Sequence, residues 1–311
     1  MSQIKATIIA DSVSAVNGQR ITTFELEYPR FIHSELTTHR LFSRNSMSSR
    51  AVPIEKMIAQ VTNDPALPVH WGKNQPGMQA RVEIEDPAQA VALWEQIAET
   101  VACSAERLNN LGLHKQVVNR ILEPFQTMKT VMTATCMDNF FWLRNHEDAQ
   151  PEIKRLAELM WEALQESTPV VLNPGDWHVP YYYEGSWKSD EYEPGTLQEA
   201  LAISSSCCAQ VSYRTLDDTL EKARKVYQRL VESTPVHASP FEHQASPATE
   251  CLLDVWDEDG EYSVNTHDPL TWEQGITSCD KEGNLWSGNF KSWIQYRQLI
   301  EGNVCNKFEG K

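Results

Sequence analysis

The chain has 311 residues, of which 41% are hydrophobic, and this is enough to bury a substantial core in one large domain or two smaller ones. Its formal net charge of -16 at pH 7 argues against a nucleic-acid polymer as a partner, because such binding depends on many Lys and Arg contacts to phosphates. No apolar run of about 18 residues and no signal peptide is evident, so we expect a cytoplasmic protein that does not bind membranes.

The predicted elements begin with a hairpin formed by residues 4–10 and 21–28, which are rich in β-branched and aromatic residues. An irregular, proline-containing loop is predicted over 61–85. The long helix that follows, from Asp86 to Leu111, has Leu93, Trp94 and Ile97 in its apolar stripe. Other helices are predicted at 30–44, 53–61, 114–122, 137–145, 151–166, 197–209, 216–232 and 289–301. Together these elements predict a helix-rich α+β fold with one small, mainly antiparallel sheet.

Motifs for metal ions and phosphate loops are missing from the sequence. The seven cysteines are scattered and form no CxxC pair, so neither a disulfide framework nor a structural zinc site is expected. The stretch HASPFEH at 237–243 contains two histidines, but no third ligand is suitably spaced, and we predict no metal ion. The absence of GxGxxG and GxxxxGKS/T patterns argues against a Rossmann or P-loop site.

Residues 36–54 form the most informative stretch, because they contain no Asp or Glu in a strongly acidic protein. His39, Arg40, Arg44 and Arg50 lie there among Ser and Asn residues, where the predicted helix gives way to a loop. Cationic groups beside hydroxyl donors can bind a single small anion such as phosphate. The charge alone is equally consistent with arginines that are solvated or paired with acidic surface residues. The residue pattern has to distinguish this interpretation from an anion pocket.

The stretch HRLFSRNSMSSR at 39–50 resembles the signature of the flavin-dependent thymidylate synthases, in which Arg-His-Arg is followed by Ser, Asn, Ser and Arg at fixed steps. Two positions depart from the signature. Thr38 stands where the first arginine is expected, and Ser46 replaces the glutamate that follows the asparagine. The matching positions are His39, Arg40, Ser43, Asn45, Ser48 and Arg50.

Two further blocks resemble the same family. The stretches NRILEP at 119–124 and MDNFFWLRNHEDAQPEI at 137–153 are similar to its downstream helices, and Arg120, Asn139 and Arg144 carry over. The stretches AQVSY at 209–213 and HASPFEH at 237–243 are similar to segments that precede the arginine signature in the family but follow it here. This order indicates one family domain that is circularly permuted. Insertions near 61–104, 168–200 and 246–311 have no counterpart.

The resemblance implies reductive methylation of dUMP to dTMP by a homotetrameric enzyme that uses FAD, NADPH and methylenetetrahydrofolate. It places Arg144 and Ser48 at the catalytic centre, with Arg144 stabilising charge on the pyrimidine and Ser48 binding phosphate without acting as a nucleophile. Arg50 and Arg120 would bind the same phosphate. The implied cofactor contacts are His39 and Arg40 on the folate or flavin side, Asn45, and the flavin contacts Ser43, Asn139 and His237.

The departures keep two other functions open. Thr133 and Thr135 stand where the family has a flavin-binding Asn and Arg, which suggests a related flavin or folate enzyme. Such an enzyme would act on another pyrimidine nucleotide, such as dCMP, or leave a hydroxymethyl group. The other possibility is a flavin-free protein that only binds the nucleotide. In the last predicted helix, Arg297 either substitutes for the arginine missing at Thr38 or belongs to a buried amphipathic face.

Overall fold

The computed structural model describes residues 4–189, 195–212, 216–249, 254–256, 262–264 and 269–308, and it confirms the α+β class. The described α-helices are α1 His33–Thr37, α2 Ile54–Asn63, α3 Pro87–Asn110, α4 Lys115–Val118, α5 Asp138–Arg144, α6 Pro151–Glu166, α7 Leu197–Ala209 and α8 Leu220–Glu232. The described strands are β1 Lys5–Ser14, β2 Arg20–Pro29, β3 Ser43–Ser46, β4 Thr127–Ala134, β5 Val170–Leu172, β6 Trp177–His178, β7 Ser186–Trp187, β8 Ala245–Pro247, β9 Asp254–Trp256, β10 Tyr262–Val264, β11 Ser278–Cys279, β12 Leu285–Ser287, β13 Phe290–Lys291 and β14 Trp293–Gln295.

The largest sheet has five strands in the order β3-β4-β2-β1-β5. Its first two strands in sequence form the predicted hairpin, and β4 pairs with the other side of β2 in antiparallel register. The short strand β3 pairs antiparallel with β4 and places Ser43 opposite Thr133. Strand β5 is parallel to β1. The sheet is therefore mostly antiparallel, as predicted.

One face of this sheet packs against α1, α5 and α6. Strand alternation places Phe24, Leu26 and Tyr28 of β2 on this face, and all three are fully buried. Helix α5 joins the same core through Phe140 and Phe141, which fixes the helix that ends at Arg144. The stripe of α6 that faces the sheet consists of Ile153, Leu156, Ala157, Met160 and Leu164.

A second core lies between α2, α3 and the 3-10 turn Asn119–Phe125. Asp86 caps the N-terminus of α3, where the sequence predicts the helix to begin. The predicted stripe of α3 is wrong at two positions, since the side chain of Leu93 is 57% exposed and that of Ile97 is 44% exposed. Helix α3 instead buries its small residues against this core, namely Ala98, Ala102 and Ala105.

The other face of the large sheet is covered by the second half of the chain. Cys208 of helix α7 and Val211, which follows the helix, pack on Val131 of β4. A four-stranded sheet in the order β14-β8-β6-β7 also lies on this side, and its Trp293 is in a common buried cluster with Ile21 of β2. The described parts of the third block and the C-terminal residues around Trp293 therefore lie over the face that carries Thr133.

One predicted helix is shorter than expected and another is replaced by strands. The helix predicted over 30–44 ends at Thr37, because residues 43–46 pair with β4 as a strand. The helix predicted over 289–301 is replaced by β13, β14 and a 3-10 turn at Tyr296–Leu299, because this stretch pairs with β12 and β8. The described residues form four sheets where the sequence predicted one.

Candidate active site

Arg44 closes the C-terminal end of α1. Its guanidinium donates hydrogen bonds to the carbonyl oxygens of Leu36 at 3.3 Å, Thr37 at 3.1 Å and His39 at 2.9 Å. Carbonyls at a helix end have no partner within the helix, and a cation there satisfies them. Arg44 is therefore occupied by the backbone and shapes the loop that carries the first block.

His39 and Arg144 meet although they belong to different blocks. The Nε of Arg144 donates to Nε2 of His39 at 3.1 Å, and the His39 ring lies edge-on to Phe140 at 4.9 Å between centroids. Burial, together with the charges of Arg144 and Arg44, lowers the pKa of His39 to about 4. His39 is thus a neutral acceptor near neutral pH, which corrects the expectation that it adds a positive charge to an anion pocket.

Arg144 lines a cavity of about 860 Å³. The N-terminal part of α6 forms one side of this cavity, with Glu152 among its lining residues. The unmatched segment after α2 also lines it, through His70, Gly72 and Ala80. A cavity of this volume is in the range that holds small-molecule ligands. One of the predicted catalytic residues therefore faces a ligand-sized space.

Glu152 of the second block anchors the unmatched segment. Its side chain is only 2% exposed, and its carboxylate accepts a hydrogen bond from the backbone N–H of Val69 at 2.7 Å. A second tether, between Arg81 and Asp148, has an N···O distance of 2.6 Å. The carboxylate of Glu152 therefore holds the cavity wall.

The predicted phosphate residues lie beside one another on the loop after β3 and on the 3-10 turn that follows α4. The backbone N–H of Arg50 donates to Ser48 Oγ at 3.3 Å. Arg120 pairs with Glu123 at 2.8 Å, and Ser49 donates to the same carboxylate oxygen at 3.3 Å. Within the described part of the chain, the exposed Arg50 guanidinium has no ion-pair partner. Arg50 is free to bind an anion, whereas Arg120 is already paired.

The predicted cofactor residues divide into buried and exposed groups. Ser43 is 1% exposed and its Oγ lies 3.1 Å from both Asn289 Oδ1 and Gln295 Nε2. Asn45 is also buried and donates to the carbonyl oxygen of Cys208 at 3.2 Å. The exposed group consists of Arg40, Asn139 and His237. In the described residues, no hydrogen bond or ion pair joins a side chain of this exposed group to the other predicted site residues.

The third block lies against the first. Besides the contact of Asn45 with Cys208, the backbone N–H of Ser48 donates to Ser212 Oγ at 3.0 Å. Tyr213, the last residue of the AQVSY stretch, lies outside the described residues. Segments that are about 160 residues apart in the chain therefore share one polar surface.

Arg297 does not substitute for the arginine missing at Thr38. Its guanidinium pairs with Glu242 of the third block and donates to the carbonyl oxygen of Asn303 at 3.2 Å. Thr38 is exposed and donates through its hydroxyl to the carbonyl oxygen of Glu35. The position of the missing arginine thus remains a departure from the family signature.

A chain of buried polar groups runs beneath the third block, and sequence reasoning did not find it. Ser12 bonds to His178, His178 to Thr23, Thr23 to Thr133 and Thr133 to His243, at 2.9, 2.8, 2.7 and 2.8 Å. Burial lowers the pKa of both histidines to about 3. No local pattern predicts this chain, because its members come from β1, β2, β4, β6 and the turn before β8.

The first half of the sequence matches a known family. Residues 6–170 match the thymidylate synthase complementing protein family. Because this stretch is more than half of the 311 residues, the chain belongs to that family. The family expected from the motifs is confirmed, and membership supports a nucleotide-methylating function like that of a thymidylate synthase. The matched stretch contains the first two blocks, and the third lies outside it.

Two solved structures are similar to this chain. One is the UMP/dUMP methylase PolB from Streptomyces cacaoi bound with 5-Br dUMP, with 17% identity, a TM-score of 0.45, and coverage of 53% of this chain and 91% of that chain. The other is the same methylase bound with 5-Br UMP, with 19% identity, a TM-score of 0.45, and coverage of 53% and 90%. No curated protein matches the sequence.

Two features are absent from the described residues. None of their helices is both long enough and apolar enough to cross a membrane. Nor do those residues bring together three or more His, Cys, Asp or Glu side chains that could hold a metal ion.

Proposed function

We propose that this chain is a thymidylate-synthase-like enzyme that methylates dUMP at C5 to give dTMP, with methylenetetrahydrofolate as the carbon donor. The observation that carries the proposal is the hydrogen bond from Arg144 to His39 at the wall of the large cavity. These residues belong to two family motifs that are 105 positions apart in the chain. Membership of the thymidylate synthase complementing protein family supports a pyrimidine nucleotide as the ligand.

Arg144 is the residue that we propose for activating the pyrimidine ring. C5 becomes nucleophilic when electron density accumulates on the ring and its carbonyl oxygens, so donors directed at those oxygens lower the barrier. The Nε of Arg144 is engaged with His39, while its terminal nitrogens have no hydrogen-bond partner within the described residues. Neutral His39 therefore acts as a positioning residue that orients the guanidinium without adding a competing charge.

We assign the phosphate of the nucleotide mainly to Ser48 and Arg50. Arginine keeps its charge at all relevant pH values and presents a planar set of donors that matches phosphate oxygens. Ser48 Oγ accepts a hydrogen bond from the backbone of Arg50, which leaves its own hydrogen to donate to the phosphate. Ser48 thus acts in binding and not as a nucleophile. Arg120 has a smaller part, because Glu123 partly neutralises it.

The chain also offers a donor set that fits a flavin, and we propose FAD and NADPH as its reducing pair. Hydroxyl, amide and imidazole groups are supplied by Ser43, Asn45, Asn139 and His237, with His39 and Arg40 toward the folate. Ser43 and Asn45 are bonded to other protein groups in this structure, whereas Asn139 and His237 are exposed. Nε2 of His243 is buried and lacks a hydrogen-bond partner in the described part of the chain, so a ligand could satisfy it. When bound and reduced by NADPH, the flavin would supply the hydride that converts the transferred one-carbon unit to a methyl group.

We further propose that the three blocks form a single permuted domain, which assembles as the homotetramer that the family resemblance implies. The contacts of Asn45 with Cys208 and of Ser48 with Ser212 support the permuted arrangement. Residues of the first and third blocks are thus in direct contact although the blocks are far apart in the chain, as a permuted domain requires.

A second candidate is a related enzyme that acts on dCMP or leaves a hydroxymethyl group. The observation that favours it is the burial of Thr133, whose hydroxyl bonds to Thr23 and His243, and of Thr135, whose hydroxyl accepts from the backbone of Lys291. Neither threonine supplies the long polar side chain that the family has there. A hydroxymethyl product needs no hydride, so it would tolerate weaker flavin binding.

Product analysis separates these candidates. The purified full chain is incubated with dUMP or dCMP, methylenetetrahydrofolate, FAD and NADPH, and the nucleotides are identified by mass spectrometry. The proposed function predicts dTMP from dUMP, and only when the reductant is present. A hydroxymethylated nucleotide, or a product formed from dCMP, would establish the second candidate. Recovery of both nucleotides unchanged at high enzyme concentration would contradict the methyltransferase proposal.

A further inference from the structure

The C-terminal residues 285–297, which we call the cover, lie over the face of the large sheet that carries Thr133. Gln295 donates to Ser43 Oγ at 3.1 Å, and Asn289 bonds to the same oxygen at 3.1 Å. The backbone N–H of Lys291 donates to Thr135 Oγ1 at 2.9 Å. Ser43 is one of the proposed flavin contacts, and Thr135 stands where the family has a flavin-binding arginine. The cover therefore uses the polar groups that a flavin would need.

The cover is a folded part of the protein and is anchored at several points. Phe290 and Trp293 are fully buried, and the indole N–H of Trp293 donates to the carbonyl oxygen of Gln19 at 3.0 Å. Strand β14 pairs with β8, which directly follows the HASPFEH stretch. Arg297 forms an ion pair with Glu242 inside that stretch. The cover is thus attached to the β1–β2 hairpin at Gln19 and to the third block at Glu242.

With the cover in this position, several buried side-chain atoms have no hydrogen-bond partner among the described residues. The described residues contain six such side-chain atoms, and four of them are in this region. One is on α7, two are at the end of the HASPFEH stretch and directly after it, and one is on the cover. They are Ser205 Oγ, His243 Nε2, Gln244 Oε1 and Arg297 Nε. Each unpaired buried polar group lowers stability, so a concentration of them marks a place that a polar ligand or a rearrangement could satisfy.

We propose that the cover and FAD are alternative occupants of the same position, so that FAD binds only when the cover moves away. This inference rests on the proposed function for the identity of the cofactor. Gln295 is the main latch, because its amide nitrogen lies within hydrogen-bond distance of three acceptors. They are Ser43 Oγ at 3.1 Å, Asn289 Oδ1 at 2.9 Å and the carbonyl oxygen of Glu242 at 3.2 Å. Asn289 is the outer latch, since it lies at the partly exposed turn between β12 and β13.

The experiment compares FAD binding by the full-length protein and by latch variants. FAD is titrated into the wild type, Asn289→Ala and the double variant Asn289→Ala with Gln295→Ala, and binding is followed by flavin fluorescence. We expect the latch variants to bind FAD about tenfold more tightly or better than the wild type. The matched control is Asn284→Ala, whose amide bonds to Asp280 instead of Ser43, and its FAD affinity should equal that of the wild type.

Hydrogen exchange of residues 285–297 gives a second readout that does not depend on catalysis. Saturating FAD should raise hydrogen exchange of the cover in the single variant Asn289→Ala. This variant is the milder of the two, because it keeps the buried Gln295 side chain and is therefore expected to stay folded. Three results would each overturn the proposal. The wild type and the variants bind FAD equally tightly, FAD binds while the cover stays protected from exchange, or no form of the protein binds FAD. Binding of dUMP is titrated separately, so a failure of the proposed nucleotide function is seen independently.

Discussion

At the scale of single residues, Arg50 and Arg120 carry the same charge in different surroundings. Arg120 and Arg30 both pair with one oxygen of Glu123, at 2.8 and 2.9 Å, and Ser49 donates to that oxygen as well. These contacts hold the Arg120 guanidinium in place and reduce its effect on an incoming anion. The Arg50 guanidinium has no such partner among the described residues.

This difference predicts unequal effects on nucleotide binding. Arg50→Gln should weaken dUMP binding by about ten- to a hundredfold, because a hydrogen bond to a charged group contributes about 1.5–3 kcal/mol. The matched change Arg120→Gln should have a clearly smaller effect. Calorimetric titration with dUMP and with deoxyuridine checks both variants, since neither should alter deoxyuridine binding. Equal losses for the two variants would argue against the assignment of the phosphate to Arg50.

The two fully buried histidines predict how stability depends on pH. Burial lowers the pKa of His178 and His243 to about 3 in the native state, from an ordinary value of 6.5. The unfolded chain therefore takes up protons below about pH 6.5 that the native state does not, and the free energy of unfolding falls as the pH decreases through this window. At about pH 5 the loss is about 2 kcal/mol for each histidine.

Urea unfolding at neutral pH and at about pH 5 measures this effect. Removing one titrating group in His178→Asn should make the pH dependence shallower, even if the variant is less stable at neutral pH. A free energy of unfolding that is the same at both pH values would contradict the native-state pKa values that we assign to these residues.

At the scale of elements, the wall of the large cavity is held by a buried carboxylate. Glu152 accepts the backbone N–H of Val69, and Trp94 of α3 donates to the carbonyl oxygen of Ala66 at 3.0 Å. The small bridge between Gly72 and Glu83 then folds the segment back across the cavity. Gly72 is needed there, because a Cβ at this position would lie 2.3 Å from the Cβ of Ala80.

Loss of this tether should loosen the wall. Glu152→Ala leaves the Val69 N–H without its acceptor and should lower the free energy of unfolding by about 1–3 kcal/mol. Glu152→Gln keeps an acceptor oxygen and should lose less. Urea unfolding gives the stability, and hydrogen exchange of residues 65–72 should rise in the alanine variant. Identical stability and exchange in all three proteins would show that Glu152 does not hold the wall.

Elements defined by local sequence were predicted well, and those defined by distant pairing were not. The hairpin β1–β2 and the helices α3, α5, α6 and α7 follow from periodicity and end signals such as Asp86 and Pro151, which act within a few residues. Strand β3 depends on its pairing with β4, more than 80 positions away, and was predicted as part of a helix. Strand β14 forms for the same reason, through its pairing with β8, whereas β13 pairs locally with β12.

At the scale of the whole molecule, the residues of the candidate site could be named from motifs, but their partners could not. The sequence identified His39 and Arg144, and the fold brings them to 3.1 Å. The same motifs did not indicate that Ser43 contacts Asn289 and Gln295, which are about 250 positions further along the chain. Such contacts depend on how the second half of the chain packs on the sheet, and no local pattern encodes that packing.

The central claim is that Arg144, in the lining of the large cavity, binds the pyrimidine of a nucleotide monophosphate, and titration of dUMP into the full chain and into Arg144→Gln tests it most directly. The control is Arg224→Gln, because Arg224 pairs with Glu199 on the surface formed by α7 and α8. We predict that the wild type and the control bind dUMP alike and that Arg144→Gln binds it about tenfold more weakly or worse. A wild type that does not bind dUMP, or an Arg144→Gln variant that binds it as tightly as the wild type, would contradict the account.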